Sequence, residues 1–376
     1  MKCSFVGGLL AGLLFAGAAL AQEPSGRWSV EKAAAWHREQ PWLVGCNYIP
    51  SSAINQIEMW QEATFDVQTI DRELGWAESL GFNSVRVFLH HMVWEQDREG
   101  FLQRMDRFLD LAEKHGIGVM FVPLDGVWDP YPSLGKQREP RPHVHNSGWV
   151  QCPGAEILKD PARHDELEGY IKGVLTRFKN DKRVQVWDLF NEPENTNKSC
   201  YGDKELPNKA EMSLLLLKKV FAWARQVNPS QPLTCGVWMG TWADPGKLTP
   251  MERLQLEQSD VISFHSYSKI DKVKECVQNL LRYQRPILCT EYMARTNGST
   301  FRPHLEYFKE HRVGAYNWGF VAGKTQTIYP WESWTRTYTA EPPLWFHDIF
   351  RSDGRPYLPE EVRYIRQVTG KVEARP

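Results

Sequence analysis

The sequence predicts an α/β fold, a (β/α)8 TIM barrel forming a single domain with long βα loops. Three observations carry that expectation. Apolar, strand-like runs alternate with helical runs eight times. No linker or shift in composition interrupts the alternation, so all eight units belong to one sheet. An open doubly wound sheet would need a glycine-rich phosphate loop after its first strand, and Cys46-Asn47-Tyr48-Ile49-Pro50 stands there instead.

The elements follow in order. Residues 28–40 read as a helical lead-in and 42–49 (WLVGCNYI) as strand one. The loop over 50–65 holds Asn55, Gln56, Glu58 and Trp60. A helix over 69–80 stops at Gly81, where a left-handed residue ends many helices. Strand two spans 82–90, a helix spans 99–115 and stops at Gly116, and strand three spans 118–125. The stretch 126–161 is irregular and rich in proline, and it carries Trp128, Tyr131 and Trp149. A loop of that length is functional or disordered, and its aromatics suit the wall of a cleft. A helix over 163–178 leads to strand four, 184–194 (VQVWDLFNEPE). A helix over 208–227 ends at Asn228-Pro229. Strand five spans 233–239, strand six 261–267, a helix 271–283, strand seven 286–293 and a helix 301–312. Strand eight spans 314–320, and a Trp- and Tyr-rich loop precedes a last helix over 359–368.

Composition narrows the function. The 376 residues carry 45 basic and 46 acidic side chains, a formal net charge of -1, with no long run of either sign. That balance argues against nucleic acid and against an anionic membrane surface as partners. Sixteen tryptophans are enough both to fill a core and to offer flat faces to sugar rings.

Residues 1–21 read as a secretory signal peptide. Lys2 gives a positive start, 5–20 is apolar and small, and Ala19-Leu20-Ala21 supplies an A-x-A cleavage site. Residues 22–376 then form an exported catalytic domain, secreted or periplasmic, without a membrane anchor and expected to be a monomer. Six cysteines follow the leader, and Cys152 with Cys200, both in loops, is the pair expected if any disulfide forms.

Strand four ends in Asn191, Glu192, Pro193 and Glu194, and strand seven ends in Thr290-Glu291-Tyr292. Working residues of a barrel sit at the carboxyl ends of its strands. The two glutamates, Glu192 and Glu291, are 99 positions apart, which places them on strands four and seven, facing each other across the mouth. Two carboxylates so placed, one neutral and one ionised, suit glycoside hydrolysis.

Asn191-Glu192-Pro193 on strand four with Thr290-Glu291 on strand seven resembles clan A of the glycoside hydrolases, and most of all family 5, the cellulase and mannanase family. The resemblance implies an arginine beneath the nucleophile at Arg86, a His-x-Tyr pair at His265 and Tyr267, and a sugar-stacking tryptophan at Trp318. It implies Glu192 as acid and base and Glu291 as nucleophile, with Arg86 and the Tyr267 hydroxyl holding Glu291 charged. Asn191 would hold a sugar 2-hydroxyl and His265 would tune the Glu192 proton. The family's histidine near strand three is missing here, and His90 after strand two is the candidate replacement. Strand two reads Arg86-Val87-Phe88 where cellulases carry Arg-x-Pro, which leaves the substrate open.

Asn47 and Glu58 are further candidates for sugar contact. His143 and His145 with Cys152 lack a well-spaced further ligand, and neither a metal nor a cofactor is expected. Asn197-Lys198-Ser199 and Asn297-Gly298-Ser299 have the form of glycosylation sequons. The expected function is retaining hydrolysis of a β-linked glycan of cellulose, mannan or xylan type, at carboxyl groups roughly 5–5.5 Å apart. The alternatives are exo attack on short oligosaccharides and a sugar-binding barrel without catalysis.

Overall fold

Eight parallel strands close on themselves in the computed structural model, which describes residues 26–371. They are β1 (Val44–Asn47), β2 (Ser84–Phe88), β3 (Gly118–Val122), β4 (Val184–Asp188), β5 (Leu233–Thr234), β6 (Ile262–His265), β7 (Ile287–Tyr292) and β8 (Gly314–Asn317). Every strand but one pairs with the next in sequence, and β1 also pairs with β8. The remaining seam, β5 to β6, is carried by the Asp260 N–H, which donates to the Leu233 carbonyl (2.8 Å), and by Val237. Its N–H donates to the Ser263 carbonyl (3.1 Å), and its carbonyl accepts from His265 (3.0 Å). This is the (β/α)8 barrel the alternation predicts. The leader read over 1–21 lies outside the described residues.

The expected strands are longer than the observed ones mainly at their carboxyl ends, where the chain leaves the ladder to form the mouth. β3 and β4 show why. Beyond each ladder a two-residue extension, Leu124–Asp125 on Phe190–Asn191, pairs above the barrel. It carries Asp125 and Asn191 into the site. Backbone contact is closest between β1 and β2, where a Cβ at Gly45 would lie 1.6 Å from the Ser84 carbonyl oxygen. Only glycine permits that approach.

Helices on the outside follow the expected runs within a few residues. Three short helices, Gln56–Trp60, His91–Gln96 and Ala155–Leu158, were not expected, nor was a longer one, Pro250–Gln258, between β5 and β6. Its signal stood in the sequence, because Thr249 caps the Glu252 N–H, Glu252 returns the bond, and Pro250 occupies the first turn.

The barrel interior is layered. Leu43, Met120, Val186, Val261, Leu288 and Tyr316 plug the bottom. A charged layer around Arg86 lies higher in the barrel. Phe88, Val122, Val127, Trp149 and Trp318 pack at the mouth.

The cysteine expectation is corrected. All six described cysteines are free, Cys152 and Cys200 included. Cys152 is buried with its sulfur against His91 Nδ1 (3.3 Å) and the Pro123 carbonyl (3.4 Å). The Cys200 sulfur turns to the Asn197 carbonyl instead.

Candidate active site

Strand alternation in a buried barrel turns polar side chains from several strands into the centre, where each must find a partner. Arg86 on β2 is fully buried, and each of its three guanidinium nitrogens faces an acceptor. Nε and Nη2 meet Asp188 Oδ2 at 2.9 and 2.8 Å. Nη1 meets Asn47 Oδ1 (2.8 Å) and Glu291 Oε1 (2.9 Å), and Nη2 also meets Asn191 Oδ1 (2.8 Å). One guanidinium thereby fixes residues from β1, β4 and β7. Asn47 in turn donates to the Thr290 carbonyl (2.8 Å), so it braces Glu291 from below rather than facing the cleft floor as a free amide.

Glu291 accepts a second hydrogen bond, from the Tyr267 hydroxyl to Oε2 at 2.7 Å. Burial raises its proton affinity, and the nearby Glu192 adds to that. His265, Arg86 and Tyr267 pull the other way. Of the two carboxylates, Glu291 is the one ion-paired to a guanidinium, so it ionises first.

Glu192 sits at φ +39, a left-handed conformation unusual for a side chain of its size. The strand-three loop passes so close that a Cβ at Gly126 would lie 2.2 Å from the Glu192 carbonyl oxygen. The carboxyl is held at both oxygens. His265 Nδ1 meets Oε1 at 2.8 Å, and Asn195 Nδ2 donates to Oε2 at 2.7 Å. Burial pushes Glu192 up to about 7, against the pull of Asn195, Arg86 and Lys209. Burial also pushes His265 down to about 4, so the imidazole is neutral near pH 7.

The Glu192 shift has a consequence for stability. An unfolded glutamate titrates near 4.3, so between about pH 4 and 7 the folded chain holds a proton that the unfolded chain has released. Stability contributed by this group therefore falls as pH rises through that window. The penalty is complete above about 7, at no more than about 4 kcal/mol. Glu192→Gln removes it while keeping the bond from Asn195. The variant should melt a few degrees higher than wild type at pH 8, and the gain should vanish at pH 4. Equal melting temperatures at pH 8 would show that burial does not load this carboxyl.

The other half of the site is a cleft of about 420 Å3 lined by Trp128, His145, Asn191, Asn195, Trp238, Trp318 and Trp331 among others, with both glutamates at its base. Asn191 spends its oxygen on Arg86 and one amide hydrogen on Asp125 Oδ1 (3.0 Å). Its second amide hydrogen is left for a ligand. Trp318 is 8% exposed and packs edge-on against Phe88 and Trp149, both at 5.8 Å.

Seven predicted residues thus converge: Glu192, Glu291, Arg86, Asn191, His265, Tyr267 and Trp318. His90 does not, and its expected sugar contact is corrected. It is fully buried, caps the short helix His91–Gln96 by accepting from Met92, and meets the Gln151 carbonyl at 3.0 Å. Both ring nitrogens are used by backbone. Glu58 is also remote, bonded to the Ile54 N–H (2.7 Å) and Lys324 (2.6 Å). Two groups of described residues gather three metal-ligating side chains within 4.8 Å of one another. In His90, His91 and Cys152 the His90 nitrogens are already occupied. The other group is Glu192, His265 and Glu291, so one oxygen of each glutamate lies within 4.8 Å of the other's.

Sequence reasoning missed Asp188 and Asn195. Asp188 had a signal, since a carboxylate inside an apolar buried strand needs a cation and Arg86 was the buried arginine available. Asn195 follows a loop turn and had none.

The family model described as Cellulase (glycosyl hydrolase family 5) matches residues 54–324, well over half of the chain. The chain belongs to glycosyl hydrolase family 5. Among curated relatives, mannan endo-1,4-beta-mannosidase F of Aspergillus clavatus is 24% identical over 135 residues, 36% of this chain. The match spans only about a quarter (26%) of that relative's length. Among solved structures, the beta-1,4-mannanase of the sea hare Aplysia kurodai superposes with TM-score 0.52 at 16% identity, covering 73% of this chain and 87% of that one. A GH5_18 protein of Streptomyces cattleya in complex with GlcNAc gives TM-score 0.55 at 14% identity, covering 89% and 81%. At these identities the superpositions speak for the shared barrel alone.

Proposed function

We propose that this family 5 protein is an exported, retaining β-glycosidase acting on a β-1,4-linked glycan of mannan type. The observation that carries this reading is the asymmetry of two adjacent carboxylates. Glu291 is ion-paired to Arg86 at 2.9 Å, whereas Glu192 is buried beside a neutral imidazole and raised to about 7. One is suited to attack and the other to give a proton. Their oxygens approach within 4.8 Å, which fits double displacement, since inversion needs roughly 6.5–9.5 Å to admit a water.

In the first step Glu291 attacks the anomeric carbon and Glu192 protonates the departing oxygen. In the second, Glu192, now ionised, takes a proton from water as the glycosyl–Glu291 ester is hydrolysed. The free amide hydrogen of Asn191 meets a hydroxyl of the reacting sugar, and Trp318 offers its ring face. The mannan assignment draws on the likeness to a mannan endo-1,4-beta-mannosidase and to a beta-1,4-mannanase. Export draws on the leader-like 1–21, and among the described residues no helix is long and apolar enough to cross a membrane.

The test is a panel of aryl β-glycosides and polysaccharides, β-mannans included, assayed with wild type and Glu291→Ala. Wild-type turnover highest on β-mannosyl substrates, and absent in the variant, is expected. Sugar binding with no turnover above the variant on any substrate would favour a binding barrel.

A further inference from the structure

The loops after β3 and β8 are not neighbours in the barrel, because β1 and β2 stand between them. They are nonetheless joined above those strands. Asn146 N–H donates to the Thr325 carbonyl (2.8 Å), and His143 N–H donates to Gln326 Oε1 (2.7 Å). His145 N–H donates to Ser333 Oγ (3.0 Å), and Trp334 Nε1 donates to the His145 carbonyl (2.8 Å). The Trp334 ring stacks on Trp128 at 5.9 Å and 15°, and the Arg141 guanidinium covers it at 4.8 Å. Bonds at both backbone and side chain, plus a stacked pair, make this a fixed wall rather than two loops in passing contact.

Behind the wall, on the side of β1 and β2, there is no room for sugar. Past Trp318 and Asn146, toward β1 and β2, the space is filled by Phe88 and Trp149. What remains is a hole of about 20 Å3, enough for about one water. The opposite rim is open. It follows β5, where Trp238 is half-buried and Met239 is 43% exposed, whereas the segment after β4 leads to Tyr201, whose ring packs on Trp334 at 5.2 Å.

Chemistry orients a substrate between these two sides. Glu192 must reach the departing oxygen, and it follows the extension of β4, the strand paired with β5, whose loop carries the open rim. The leaving group therefore lies toward the open rim and the reacting sugar toward the wall. We infer that the bridge between the β3 and β8 loops is the end of the glycone pocket, so that this chain removes single sugar units from the non-reducing end of a β-linked glycan. The inference rests on the catalytic reading above and adds to it the site of cleavage.

The experiment uses β-1,4-mannopentaose labelled at its reducing end, with and without an acetal blocking the 4- and 6-hydroxyls of its terminal non-reducing sugar. An aryl β-mannoside is assayed on the same preparation. Wild type is expected to release monosaccharide and labelled tetrasaccharide first, and to leave the blocked pentasaccharide intact. Trp334→Ala, which removes the ring at the centre of the wall, is expected to add mid-chain products. Labelled products of several lengths from the first turnovers of wild type, with the blocked substrate cut as fast as the free one, would overturn the wall. If the aryl substrate is hydrolysed while that happens, the inference alone fails. If neither the aryl mannoside nor the pentasaccharide is hydrolysed, the catalytic reading beneath it fails.

Discussion

Glu291→Gln is expected to lower kcat/KM by on the order of 10^4-fold or more, about 5.5 kcal/mol of transition-state stabilisation, without unfolding the protein. The amide cannot displace a leaving group at carbon, so the first displacement has no substitute. The fold should survive for a geometric reason. Arg86 keeps Asp188 as a charged partner at 2.8 Å, and the Gln oxygen still accepts from Tyr267. A loss of activity that tracked a loss of secondary structure would point instead to a structural role. A loss smaller than about tenfold would remove Glu291 from the chemistry.

Arg86→Met should have the largest effect on stability, about 3–5 kcal/mol. The guanidinium is fully buried, and its removal strands two carboxylates, Asp188 and Glu291, together with the amide oxygens of Asn47 and Asn191. Water cannot reach the layer beneath, which is closed by Met120, Val186 and Tyr316. Denaturant midpoints at unchanged slope measure the loss. Arg86→Lys separates charge from geometry. It restores one charge but not the five-donor fork, so it should recover part of the stability while kcat/KM stays far below wild type. A shift under about 1 kcal/mol for Arg86→Met would mean that the arginine does not hold the layer together.

Much of this was legible before the structure because the barrel repeats one rule. Alternating runs gave the eight strands, and the carboxyl end of each strand marked where Glu192, His265, Glu291 and Trp318 would stand. What escaped is what backbone departure from the ladder decides. His90 looked like a cleft residue because it follows β2, but the chain turns there into a short helix and uses the ring as its cap. Asn195 reaches Glu192 only because Glu192 adopts a left-handed backbone, which no pattern of hydrophobicity encodes. The bridge between the β3 and β8 loops was not legible in composition, since it rests on hydrogen bonds between 143–146 and 325–334.

The central claim is that Glu291 and Glu192 act from opposite faces of one sugar in two successive displacements. Its most direct test is proton NMR of the first-formed anomer during hydrolysis of an aryl β-mannoside. The account predicts that the β-anomer appears first and then mutarotates, because two displacements restore the starting configuration. Initial appearance of the α-anomer would mean a single displacement by water, and would contradict it.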